Sequence, residues 1–138
     1  MTRRPFPLAD QVPPELSSYI LDFHWDLSLL RQLELATLSV PLGELVGHLD
    51  LPFWAYGGRP FQVTPHQVAA DPVVYRAQYD RTMAADLSHP LDVVRRPDGL
   101  VTILDGIHRL LRAEIEGQTA VEVRVLPWDL VDRISVRD

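Results

Sequence analysis

The run Asp105-Gly106-Ile107-His108-Arg109, continuing into Leu110-Leu111-Arg112, holds the residue types best suited to chemistry. If a helix begins near Gly106, then Ile107, Leu110, Leu111 and Ile115 sit at i, i+3, i+4 and i+8 and form its core-facing stripe. His108, Arg109 and Arg112 then fall on the opposite side, near the helix N-terminus. That end carries the positive pole of the helix dipole, and each cation there costs about 0.3–1 kcal/mol. Two arginines and a histidine crowded on a positive pole call for an anion. Free N–H groups of the first turn point the same way and suit phosphate oxygens. Gly106 removes the Cβ that would hold a ligand off the backbone.

A plainer reading stands beside this one. Asp105 is also an ordinary N-cap, typically stabilising by about 1 kcal/mol. Arg109 and Arg112 have Glu114, Glu116 and Asp105 within reach as ion-pair partners. His108 alone is compatible with a structural role.

The elements that must position this turn are legible around it. Leu91 to Val94 reads as a strand, Arg95 to Gly99 as a hairpin turn with Pro97 and Gly99 at the demanding positions, and Leu100 to Leu104 as the return strand. Leu110 to Glu116 is helical, with Gly117 as terminator. Val121 to Val125 alternates as a half-buried strand. Upstream, Leu27, Leu30 and Leu33 follow Asp26 as a capped helix, whereas Tyr19 to Trp25 fits strand or helix equally. Ser39 to Leu42 reads as extended. Leu42, Leu45, Val46 and Leu49 then predict an amphipathic helix. Leu51 to Phe61, with its Gly57-Gly58 pair, reads as a packed loop. Thr64-Pro65 and Asp71-Pro72 are helix-start pairs, the second opening a long helix over Pro72 to Leu87 with Val74, Tyr75, Ala77, Tyr79, Met83 and Leu87 inward.

With 138 residues, 46% of them hydrophobic, the chain is long enough for one folded domain. Residues 1–14 carry four prolines and predict an extended arm, leaving residues 15–138 as the domain. The absence of cysteine excludes disulfides, thiolate metal sites and a cysteine nucleophile. No apolar run approaches a membrane span, and no apolar stretch follows Arg3-Arg4 as a signal peptide would require. The expectation is a cytoplasmic protein. A formal charge of −6 weighs against broad nucleic-acid contact.

Other clusters are less telling. His24, His48, His66, His89 and His108 lack metal-ligand spacing, so no transition-metal site is expected. Neither a Walker-type loop nor a Gly-x-Ser-x-Gly elbow occurs. His24-Trp25-Asp26 reads as packing. Trp54, Tyr56 and Arg59 beside Gly57-Gly58 are available to stack on a ligand or simply to pack a loop.

The run Pro90 to Val94, a turn, Thr102 to Ala113 and then Val121 to Val125 resembles the ParB/sulfiredoxin superfamily, with Leu38 to Leu42 similar to its first strand. The resemblance covers about residues 38–130 and leaves residues 1–37 outside. It implies an α/β (α+β) fold, with a small mixed sheet, packed helices and a phosphate-binding turn at a helix start. Ile107 stands where sulfiredoxins carry their cysteine, which excludes sulfinic-acid reduction. The acidic charge and short C-terminal continuation point away from a partition clamp.

The Asp-Gly-x-His-Arg form is most similar to free-serine kinases of that superfamily. This implies Asp105 and His108 as catalytic residues, with Glu44 in the place of a further glutamate. It implies Gly106, Ile107, His108, Arg109 and Arg112 as the phosphate-holding set. The implied ligands are a nucleotide (ATP, ADP or CTP), Mg²⁺ carried with it, and a small hydroxylated acceptor. The alternatives are a non-catalytic nucleotide- or phosphometabolite-binding module and, less in keeping with the charge, a nucleic-acid-associated protein.

Overall fold

The computed structural model describes residues 2–138. In chain order the elements are α1 (Pro14–Ser17), α2 (Leu27–Gln32), β1 (Thr37–Pro41), β2 (Trp54–Tyr56), β3 (Arg59–Val63), α3 (Pro65–Ala70), α4 (Arg76–Met83), β4 (Leu91–Arg95), β5 (Val101–Asp105), α5 (Ile107–Ile115) and β6 (Ala120–Leu126). Single turns of 3-10 helix occupy Ala9–Gln11, Leu42–Glu44 and Val46–Asp50, and a longer 3-10 segment spans Trp128–Ile134. The architecture is a small α+β fold.

Four strands form a mixed sheet in the order β1-β6-β4-β5. β4 and β5 are an antiparallel hairpin, β6 runs parallel to β4, and β1 closes antiparallel on β6. The chain makes the hairpin first, because Gly99 takes φ 87° and Gly99 N–H donates to the Arg96 carbonyl. It then crosses over through α5 to return as β6, a connection that a parallel pair requires.

Each sheet face packs its own core. On one side Val93, Ile103, Val121 and Val123 meet Leu110 and Leu111 of α5, Val68 of α3 and the buried Leu45 and Leu49. On the other, Val94 and Leu126 meet Leu30 of α2, Phe23, Val131 and Ile134. Full burial of one such side chain contributes about 1.5–3 kcal/mol. The N-terminal segment is tied into the second layer. Arg3 bridges to Arg137, Pro5 bridges to Phe23, and Leu16 of α1 is fully buried.

Five readings need correction. Leu42 to Leu49 is not one amphipathic helix but two 3-10 turns broken at Leu45. Gly43 and Gly47 weaken any α-helix there, although Leu42, Leu45 and Leu49 are buried as the pattern requires. The Leu51 to Phe61 loop contains the β2–β3 hairpin, turning on Gly57 and Gly58 at φ 63° and 78°. The long helix begins only at Arg76 and ends at Met83. Val74, Ala77 and Met83 are exposed instead of inward. Ile115, placed on the α5 core stripe by its spacing, is also exposed; Ala113 is buried in its stead. Tyr19 to Trp25 is neither helix nor strand, with only isolated bridges at Phe23 and Trp25.

Candidate anion-binding site

β5 ends at Asp105, and Gly106 takes φ 118°, ψ 15° as the N-cap residue of α5. This left-handed turn is where glycine is favoured. A Cβ at Gly106 would lie 2.8 Å from Cγ of Leu91 and 3.2 Å from Nη2 of Arg109. The glycine therefore makes room for the protein's own Leu91 and Arg109, which corrects the expectation that it clears space for a ligand. Asp105 does not cap the helix. Among the described residues no side chain accepts from the first-turn N–H groups of α5.

Those groups border a cavity of about 810 Å³ at the end of the sheet. Its floor is a row of side chains set by strand register. Arg124 on β6 pairs with Asp92 on β4, which in turn pairs with Asp105 on β5. A register shift beside Asp92 brings Asp105 directly opposite it. Such a bulge re-aims one side chain without breaking the sheet. Arg124 Nη1 donates to Asp92 Oδ1 at 2.8 Å, and its Nη2 donates to the Leu33 carbonyl at 2.7 Å, just beyond α2. Arg109 Nη1 donates to the Pro90 carbonyl at 2.9 Å, and its Nη2 to Asp105 Oδ2 at 3.0 Å.

The rim carries two further arginines. Arg31 of α2 is exposed, and its guanidinium comes no closer than 3.9 Å to Asp105. Arg81 of α4 lines the same cavity and has no carboxylate partner among the described residues. Four arginines thus face one cavity in a chain of net charge −6. Asp86, Asp92 and Asp105 share it. Asp86 is held by the N–H and hydroxyl of Ser88, which lower its pKa. Burial raises the pKa of Asp92 against the pull of Arg124, and the neighbouring charge of Asp105 raises it further.

His108 stands at the back of the turn. Its ring stacks on Trp54 with centroids 4.2 Å apart and planes 12° from parallel, and its Nε2 lies 2.9 Å from Gln78 Oε1. Burial, reinforced by the charge of Arg81, lowers its pKa to about 4. His108 is therefore neutral at pH 7.

Of the residues singled out from the sequence, Asp105, Gly106, His108 and Arg109 line the cavity, and Ile107 presents its N–H at the first turn. Arg112 does not belong to the cavity. Its Nε donates to Glu116 and its Nη1 to the Ala85 carbonyl, as the plainer ion-pair reading required. Glu44 is exposed on the 3-10 turn after β1 and does not line the cavity. Sequence reasoning missed Arg31, Arg81, Asp92 and Arg124. The only local hint was Asp92, a carboxylate set between Leu91 and Val93; Arg124 is hidden in the ordinary polar alternation of Val121 to Val125.

The donor set, rim guanidiniums and bare first-turn amides, suits phosphate oxygens. It does not suit a bare metal ion, since no group of three or more His, Asp or Glu able to hold one occurs among the described residues. No described helix is long and apolar enough to cross a membrane. The chain matches no family model, no curated protein and no solved structure.

Proposed function

We propose that the chain binds a nucleotide through its phosphates at this cavity and transfers a phosphoryl group to a small hydroxylated acceptor. The observation that carries the reading is the convergence of Arg31, Arg81, Arg109 and the uncapped first turn of α5 on one cavity of an otherwise acidic protein. The resemblance of the Asp105-Gly106-Ile107-His108-Arg109 turn to that of free-serine kinases supports it.

In this reading Arg81 and Arg31 close on the terminal phosphate and hold the charge that builds up during transfer. Positioning and electrostatic stabilisation carry most phosphoryl transfers. The acceptor oxygen forms the new P–O bond as the bond to the nucleotide breaks, and the nucleoside diphosphate departs. Asp105, at the cavity wall, takes the acceptor proton. Asp105 would be the residue to hold a Mg²⁺ brought by the nucleotide, and that ion would supply neutralisation of the phosphate charge.

One observation favours a second reading, a nucleotide-binding module without turnover. Asp105 and Asp92 are each already engaged by an arginine, Arg109 and Arg124. Incubation with nucleoside triphosphates, Mg²⁺ and a panel of hydroxylated metabolites separates the two. Phosphorylated product that disappears in Asp105→Asn supports the kinase. Binding without any product, across the panel, supports the module.

A further inference from the structure

A second, smaller pocket of about 290 Å³ lies against the other side of the same turn and shares Asp105, Gly106 and His108 with the anion cavity. Aliphatic side chains of β5 and the N-terminal segment form part of its lining, and five aromatic ones form the rest of its apolar walls: Phe6, Trp25, Phe53, Trp54 and Phe61. No arginine lines it. The aromatic side chains come from the N-terminal segment and from the β2–β3 hairpin and its approach, outside the strand–turn–helix–strand unit that supplies Thr102 to Leu104.

Two local features lack an explanation in packing alone. Phe61 has φ 57°, the one positive φ outside glycine among the described residues, and its ring sits 6.4 Å from that of Phe6. A bulky residue in that conformation is strained, and such strain gathers where a ligand must be held. Thr102 lines the pocket, is 2% exposed, and its hydroxyl has no hydrogen-bond partner. Buried polar groups without partners are few in native proteins, and each calls for a cause.

We propose that this pocket receives the base of the nucleotide whose phosphates occupy the anion cavity, with the Thr102 hydroxyl bonding a polar atom on the ring edge. The claim rests on the anion reading of the first cavity and adds the ligand's other half. A phosphate or carboxylate finds no cation here. An aliphatic group leaves Thr102 unsatisfied. A flat ring with polar edge atoms meets both demands, and stacking on aromatic side chains is tolerant of which base it is.

The test is calorimetric titration of the full chain with inorganic tripolyphosphate, ATP and CTP, in wild type, Phe61→Gly and Thr102→Val. Phe61→Gly removes the ring and relieves the positive φ; Thr102→Val keeps the shape and removes the hydroxyl. At least one nucleotide is expected to bind about tenfold or more tighter than tripolyphosphate. That advantage should shrink in both variants while tripolyphosphate binding stays unchanged. Equal affinity for nucleotide and tripolyphosphate overturns the base pocket and leaves the anion cavity standing. So does a nucleotide advantage that survives both substitutions. Failure of all three ligands to bind removes the anion cavity itself, and the base pocket with it.

Discussion

Gln78 determines which nitrogen of His108 carries the proton. The amide nitrogen of Gln78 lies 3.4 Å from the Ala55 carbonyl, so its Oε1 faces His108 Nε2 at 2.9 Å and must accept from it. The neutral ring is thereby the Nε2–H tautomer, with Nδ1 left as a lone pair. Fixing a tautomer through the far nitrogen is a common way to prepare an imidazole for a ligand or a proton.

A pH titration tests this. His108 has a folded pKa of about 4 against an ordinary 6.5, so the unfolded chain takes up the proton first as pH falls. Stability contributed by the neutral ring is intact above pH 6.5 and is lost between 6.5 and 4, on the order of 3 kcal/mol. Two-dimensional nitrogen NMR should show the Nε2–H tautomer persisting to about pH 4, and a tautomer mixture in Gln78→Leu. A bound polyphosphate should raise the His108 pKa.

Gly106→Ala should destabilise the fold by roughly 1–3 kcal/mol. The new Cβ meets Leu91 and the Arg109 guanidinium while φ is held at 118°. Chemical denaturation measures it; an unchanged midpoint would mean the turn relaxes freely.

Arg124→Met should cost about 3–5 kcal/mol, because Asp92 then stays buried without its partner. Adding Asp92→Asn to that variant should restore much of the loss. Additive losses in the double variant would show that the pair is not coupled.

His66 ties three elements together. Nδ1 meets Asp50 at 2.6 Å and Nε2 meets Glu114 at 2.7 Å. Burial opposes the charged ring, but the two carboxylates prevail and its pKa is raised. The stabilisation is therefore complete below pH 6.5 and fades as pH rises through the raised value. Because the ring is partly exposed, His66→Gln should cost only about 0.5–1 kcal/mol at pH 6 and less at pH 9. Denaturation at the two pH values checks the sign.

The strand-to-helix turn at Gly106 and its flanking strands were readable because their signals are local: Pro97 and Gly99 in the hairpin, Gly106 before an apolar stripe, and alternation through Val121 to Val125. The β2–β3 hairpin was missed because β2 is three residues long, and Pro60 with the surrounding aromatics hides its alternation. The cavity floor was unreadable for a different cause. Asp92 and Arg124 meet only through strand register, Arg31 reaches the cavity rim only through the placement of α2, and no spacing in the sequence encodes either. For Arg112 the spacing offered both the cavity and Glu116, and only the fold, which adds the Ala85 carbonyl, decides for the second.

Backbone NMR reads directly whether the first turn of α5 holds an anion. Titration with tripolyphosphate should move the amide signals of Ile107, His108 and Arg109 most, saturably, with Arg31 and Arg81 side-chain signals following. Arg81→Ala should weaken the effect about tenfold, in line with loss of one charge-assisted contact. Amide signals at this turn that stay fixed while the anion is added, or shifts centred on another part of the chain, would contradict an anion held there.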